Sequence, residues 1–416
     1  MRIPSVRSFA VLLVAAAGCA PDTTPPDRFL ARDSSGVRIV EHVSIEGLPV
    51  RRTDENAALR IGGAADGDAA QVLDGVLAGA VLSDGRVAIL DGGSAQLRLY
   101  DAAGAPLATQ GRRGDGPEEY SNPTTMIPVA GDSMVVWDMA HGRATVVGPT
   151  GAVARTVTTP AELRSPLLAA VFGDGKLLVV NRLVDFKPGS SVQTEMGQDI
   201  RVSATGTPET VLGIHPFRTL QLMSDGVPVT QLGPQNQVEI RAVPFAPQTQ
   251  RASRPDGYWL GRQRSFELAF IGADGGLKQL VRWVGGPLGV ADADKQTYVD
   301  AAVEVAETED AKTAIRGQGT AFFEFPPIFP THGPLVGGAD GSIWMNDFRR
   351  PGATGPEGWT VFDVDGVAKE RVELPAGSTL LWAAPDRVLL LLKDDLDVER
   401  VELRTVGAAA AAVPTP

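Results

Sequence analysis

Short apolar runs alternate with polar turn clusters along most of this chain, most clearly between residues 82 and 120. Residues 86–90, 97–100 and 106–110 read as short strands, and Asp84 with Gly85, Gly92 with Gly93, and Ala103 with Gly104 supply the turns that bound them. The first of these turns recurs as Gly131 with Asp132, Asp174 with Gly175, Asp256 with Gly257, Asp340 with Gly341, and Asp386 with Arg387. Each is followed by an apolar run: RVAIL, SMVVW, KLLVV, YWLG, SIWM and RVLLLL. In five copies the next strand ends in a glycine turn (Gly104, Gly151, Gly206, Gly275, Gly366), and a fourth strand follows at 106–110, 153–158, 209–212, 277–283 and 369–374. Copies spaced by about forty to more than eighty residues fit four-stranded units with insertions. The expected fold is all-β, a six-bladed β-propeller of four-stranded antiparallel blades. Its innermost strands are expected near 77–82, 125–129, 167–171, 248–252, 334–338 and 380–384.

The sixth copy lacks a strand, because only 388–393 and 400–406 follow its turn before an Ala/Pro tail. An unpaired edge there would invite aggregation. Upstream, LRIGGAADGDAAQVLDGV from Leu59 matches LATQGRRGDGPEEYSNPT from Leu107, so residues 57–61 are expected to supply the outer strand of the last blade and close the ring. Residues 37–42 read as a further strand without an assigned place. Residues 291–316 carry helix signals: Asp292 or Asp294 as cap, an apolar stripe of Tyr298, Ala302, Val305 and Ala306, Lys312 and Arg316 in the last turns, and Gly317 as stop, with the stripe expected against the fifth blade. A second insertion, 217–244, reads as a hairpin or long loop.

The N-terminus changes the picture of where the domain works. Arg2 and Arg7 flank an apolar run, 9–17, too short to span a bilayer and ending in small residues, as in a signal peptide. Ala16, Ala17, Gly18 and Cys19 resemble a bacterial lipobox, in which the thiol is acylated, although Ala16 stands where Leu is usual. Cys19 is the only cysteine of the 416 residues, so no internal disulfide competes for it. A Thr/Pro/Asp-rich stretch to Ser35 reads as a tether. The expected organisation is a signal peptide at 1–18, a lipidated Cys19 and tether at 19–35, the propeller at 36–407 and a tail at 408–416. Ala20, rather than Asp, after Cys19 favours the outer membrane, with the domain facing the periplasm.

Composition adds two exclusions. Forty-seven glycines and thirty-one prolines without triplet periodicity indicate turns rather than a collagen-like chain. A net charge of −12 argues against nucleic acid as a partner. No later segment reaches the length of an apolar membrane span, so Cys19 is the expected link to the membrane.

DGRVAILDGGSAQLRLYDAAGAPLATQGRRGDGPEEY resembles an NHL-type repeat, and residues 36–407 resemble the bacterial six-bladed β-propeller lipoproteins, within the wider TolB-like propeller group. That resemblance implies fold. It implies no substrate, because related propellers include lactone hydrolases, amidating lyases, scaffolds and receptors.

Candidate chemistry is sparse. Asp91, Asp138, Asn181, Gln263, Asp347 and Lys393 occupy equivalent positions after the first turn of each copy. They read either as a ring of Ca²⁺ ligands or as polar side chains that hydrogen-bond the following turn; Gln263 and Lys393 break the set and favour the second. The innermost strands contain no carboxylate and are read as free of ionisable side chains, which opposes a metal-dependent hydrolase. His215 and His332 lie where blades are expected to hand over, and the two would serve a metal or proton shuttle only by meeting across the channel mouth. Neither has an acidic residue close by in sequence to orient it. The loop 112–120 concentrates Arg112, Arg113, Glu119 and Tyr120 on a Gly-rich turn; it reads as a binding face or as turn geometry belonging to the repeat. Phe322, Phe323, Phe325 and Phe329 either form an exposed rim or bury the helix. No nucleophile elbow, phosphate loop, CxxC or HExxH occurs. The leading expectation is a non-catalytic module, without cofactor, that binds a protein or small ligand in the envelope. The alternative is a lactonase-like or amidating-lyase-like enzyme holding a metal through Glu119, His215 or His332.

Overall fold

A computed structural model describes residues 28–63, 71–185, 187, 189–224, 227–228 and 238–408. The signal segment, Cys19 and the tail beyond 408 lie outside the described residues. The chain is mostly β, with a small helical insert, and its strands form six sheets in an arrangement of the propeller kind.

The first sheet, Val76–Val81, Val87–Asp91, Gln96–Tyr100 and Pro106–Gln110, runs antiparallel in chain order. Its second strand is buried along its whole length and its fourth is mostly exposed, as expected of an inner and an outer position in a stack of sheets. The turns follow from short polar side chains. Asp101 accepts hydrogen bonds from the amides of Ala103 and Ala105, and Asp363 and Asp394 do the same in the corresponding turns of later sheets. The innermost strands, Val76–Val81, Pro123–Val129, Leu167–Val171, Thr249–Arg254, Leu335–Gly337 and Thr379–Ala383, each touch the next, and the last touches the first.

The upstream strand is where the repeat placed it. Leu59–Gly62 pairs antiparallel with Glu399–Thr405, Ile61 opposite Val401, and completes the sixth sheet. Ile61 is fully buried in a core shared with Val87 and Ile89 of the first sheet and Leu389 of the sixth. Glu399, itself buried, accepts a hydrogen bond from the Val76 amide at 2.7 Å, tying the two sheets by a side chain as well.

Three features differ from expectation. Residues 29–34, read as tether, form a strand that pairs with Val37–His42, and the latter runs parallel to Leu277–Trp283 on the outer edge of the fourth sheet. Val50–Arg52 likewise adds a parallel strand outside the fifth sheet, so the N-terminal segment passes over the rims of three consecutive sheets. The helical insert is broken in two, Asp292–Val305 and Glu309–Gln318, because Thr308 caps the second helix by accepting from the Ala311 amide. Its stop is Gly319 (φ +57°), not Gly317, and its buried side chains are Val299, Val303 and Ile315 rather than the expected stripe, Val305 being 80% exposed.

The insert packs on its own Phe322 and on the hairpin of the third sheet, and its first helix also meets the fifth sheet's loop, where Asp294 pairs with Arg350 at 2.7 Å and Thr297 lies against Gly352. Arg241 lies over the Phe322 ring, and Glu324 donates its amide to Gln221. Phe322 and Phe329 are buried, and Phe323 and Phe325 stack edge-on against Tyr298. Within 217–244, Pro208–Ser224 is one long strand that pairs with Glu239–Ala242; residues 229–237 lie outside the described residues.

Ile61→Ala should cost about 2–5 kcal/mol of unfolding free energy by urea titration, as for a fully buried aliphatic side chain. Leu107→Ala, on the exposed fourth strand of the first sheet (54% exposed), should stay within about 0.5 kcal/mol of wild type.

Candidate functional site

The innermost strands surround a cavity of about 1000 Å³. Each sheet contributes to its wall, for instance Gly79, Ile127, Ala169, Arg251, Val336 and Leu381. Small and apolar side chains dominate because these strands carry residues such as Ala, Gly, Leu and Val at their wall positions.

Charged side chains also line the wall, among them Asp132, Arg155, Arg251, Arg254 and Arg387, and Arg251 and Arg254 on Thr249–Arg254 contradict the reading of innermost strands free of ionisable side chains. Arg251, on the innermost strand of the fourth sheet, is almost wholly buried and paired with Asp199 on the third strand of the third sheet. Nη2 lies 2.6 Å from Oδ1 and Nε 3.1 Å from Oδ2, a bidentate pair, and Nη1 donates to the Thr249 carbonyl. Asp199 also accepts from the Tyr258 hydroxyl at 3.1 Å, and burial together with the Asp199 charge pushes the Tyr258 phenol up, keeping it a donor. Gly197 allows the close approach of Val180 beside this pair, since a Cβ there would lie 2.8 Å from Val180 and in ordinary contact with the Arg251 guanidinium.

His215 joins this cluster. It sits within the strand Pro208–Ser224, not in a handover loop, with Nε2 3.7 Å from Asp199 and Nδ1 3.3 Å from the Arg262 guanidinium. So an acidic neighbour exists, brought by a strand partner rather than by sequence proximity. Burial holds the His215 pKa below its usual value against the pull of Asp199, and Arg251 and Arg262 reinforce the lowering. The imidazole is therefore neutral near pH 7.

His332 is elsewhere. It is fully buried ahead of Leu335–Gly337, its Nδ1 2.7 Å from the Gly333 carbonyl and its ring against Gly261 and Trp283. Burial pushes its pKa down to about 4. Gly261, against His332, and Arg262, against His215, are consecutive strand residues facing opposite sides, so the two histidines are not brought together.

The loop 112–120 is held by hydrogen bonds within itself and to neighbouring backbone. Glu119 pairs with Arg112 at 2.6 Å and accepts the Gly116 amide, and these bonds hold its carboxyl below the usual range. Arg113 donates to the carbonyls of Gly92 and Gly93. Tyr120 is buried, its hydroxyl on Gln110, its ring against Gly111, whose φ of +89° and lack of Cβ permit the approach. Sequence reasoning passed over the loop's partner: His141 lies between Asp115 (3.2 Å) and Asp138 (2.8 Å). Glu119, His215 and His332 thus occupy three separate surroundings, and among the described residues no group of three or more His, Cys, Asp or Glu is placed to hold a metal ion.

The equivalent set of polar positions does hydrogen-bond the backbone, mainly at the loop leading into its own sheet. Asp91 accepts from the amides of Asp74 and Ser94, Asp138 from Ser121, Asn122 and Ala140, Asn181 from Arg164, and Gln263 from Gln248. Asp347 instead pairs with Arg371 and Lys393 with Glu399.

Arg251→Ala should destabilise the chain by about 3–5 kcal/mol in urea titrations, because Asp199 is left charged and buried; adding Asp199→Asn should recover part of the loss. His332 binds a proton far more readily unfolded than folded, so its contribution is full above pH 6.5 and disappears as pH falls towards 4. The stability lost over that window should shrink by about 3 kcal/mol in His332→Gln relative to wild type, the linkage value of its shift.

No protein-family model matches the chain, and no curated protein matches it either. It is similar in shape to solved structures. These include a member of the DUF4221 family from Bacteroides vulgatus (8% identity, TM-score 0.47, 86% of this chain and 99% of that one covered) and an export-candidate protein from Bacteroides fragilis (10%, 0.46, 89% and 100%). A virginiamycin B lyase from Staphylococcus aureus aligns at 9% identity and TM-score 0.37, over 79% of this chain and 94% of that one. Likenesses at this level assign no role to any residue of this chain.

Proposed function

We propose that the chain is an exported, lipid-anchored envelope protein whose domain is a closed six-bladed propeller of the NHL-like kind, and that it works as a binding module rather than as an enzyme. The cavity at the centre of the six sheets carries this reading. Its volume, about 1000 Å³, is at the upper end of the range of small-molecule sites, and its wall is largely apolar with a few fixed polar groups, the usual composition of a site that holds a ligand. The polar cluster around Arg251 supports binding more than turnover: Arg251 and Asp199 are committed to each other, and His215 is held by burial and by Arg262 rather than poised beside a nucleophile. A ligand, or a side chain of a protein partner, would be read by the apolar wall and oriented by polar wall groups such as Arg251.

The test is ligand capture by the full chain purified from membranes. Small molecules released on denaturation are identified by mass spectrometry, then added back at one hundred times their dissociation constant. Wild type should gain about 2.7 kcal/mol of stability under those conditions. Thr125→Phe, which adds a ring to the wall, should lose most of that gain. Retention of the full gain in Thr125→Phe would place the ligand elsewhere. Turnover of a lactone or peptide substrate that disappears on changing a wall residue would replace the binding reading with an enzymatic one.

A further inference from the structure

We infer that the outer corner of the fourth sheet is a membrane-contact surface that rests on bilayer lipid, an inference that depends on the reading of Cys19 as the lipid attachment point. The corner is built where the chain arrives from its N-terminus. The Val43 amide donates to the Arg28 carbonyl at 3.0 Å, so the first described residue lies beside Val43. Val284 is the next neighbour across: its amide donates to the His42 carbonyl at 3.2 Å, and His42 stands opposite Trp283 in the parallel pair.

Val43 and Val284 therefore share one register position on adjacent strands, and they are 62% and 72% exposed. Leu30, 63% exposed, lies opposite Glu41, two residues before Val43 and on the same face. The contact surface continues into the segment 284–289, VGGPLG, which is exposed throughout, includes Leu288 at 40%, and contains no charge in a chain that is 21% charged. Val43, Val284 and Leu288 form the apolar part of this surface, and the Glu41–Arg282 ion pair separates it from Leu30; an exposed apolar cluster of this kind marks an interaction surface. Arg28, exposed and donating only Nη1 to the Gly47 carbonyl, borders it and offers its remaining donors to headgroup phosphates, while Arg32 is paired with Glu41.

Geometry selects the occupant. Nine residue steps separate Cys19 from Arg28, so a fully extended chain reaches at most about 32 Å. An acyl anchor at Cys19 keeps this corner, where the tether joins the domain, within that distance of the bilayer. The apolar corner then adds a second, weaker attachment and orients the domain on its anchor, as two-signal attachment generally requires.

The experiment uses the lipidated full chain in vesicles of phosphatidylethanolamine and phosphatidylglycerol. With the Cys19 thiol acylated, Val284→Cys introduces the single reactive thiol for a fluorophore, and Ala103→Cys, exposed on the first sheet across the ring, is the control. A quencher attached to the lipid should reduce emission at 284 at least threefold more than at 103. Equal quenching at the two positions in chain that floats with the vesicles overturns the inference and leaves the anchor standing. If Cys19→Ala floats with the vesicles as well as the unmodified chain does, or neither floats, the anchor reading fails and the inference falls with it.

Discussion

The pairing of Leu59–Gly62 with Glu399–Thr405 is the constraint on which the rest of the structure depends. These strands lie more than three hundred residues apart in sequence, yet together they complete one sheet. Without that pairing the sixth sheet would present an open edge, and the buried cluster around Ile61, Val87 and Leu389 would lose a wall. The Glu399 carboxylate on the Val76 amide adds a hydrogen bond to a charged acceptor at the same seam. The innermost strands contact one another in sequence, the last touching the first, and the cavity lies between them. The function proposed for the cavity is thus a consequence of how the two ends of the chain meet.

The seam between the third and fourth sheets is built differently. Beside an apolar cluster of Ala170, Phe172, Leu178 and Leu260, this one also holds Asp199, Arg251, Tyr258 and His215. Burying such a set costs desolvation that a bidentate pair with two further hydrogen-bonding partners offsets, and replacement by apolar side chains would be tolerated for stability alone. Of this set Arg251 alone lines the cavity. The same region carries the long strands of the third sheet and the helical insert, so the three departures from the simple repeat cluster on one side of the domain.

Most of the fold was legible because each repeat declares itself twice, in an apolar run and in the turn before it, Asp–Gly in four of the six copies. The closing strand was legible for the same reason, through the match between residues 59–76 and 107–124. The parallel strands Val37–His42 and Val50–Arg52 were not placed because they pair with chain more than two hundred residues away and belong to no repeat. The break in the helical insert was written in Thr308, Glu309 and Asp310, an N-terminal cap signal inside a longer helical pattern. The site was far less legible. Arg251 stands in the innermost strand as plainly as any residue, but its significance rests on Asp199, which reaches it across two sheets. His215 looked isolated for the same reason, and the acidic partners of His141 come one from a loop and one from a strand end. Side chains that meet across sheets leave no spacing to read.

Closure is tested most directly by amide hydrogen exchange in the intact chain. The amides of Leu59–Gly62 that pair with the last strand should exchange as slowly as those of Glu399–Thr405, both through global unfolding, because the two strands open only when the ring does. Rapid exchange of residues 59–62 beside a protected last strand would contradict closure, and with it the defined cavity on which the proposed function rests.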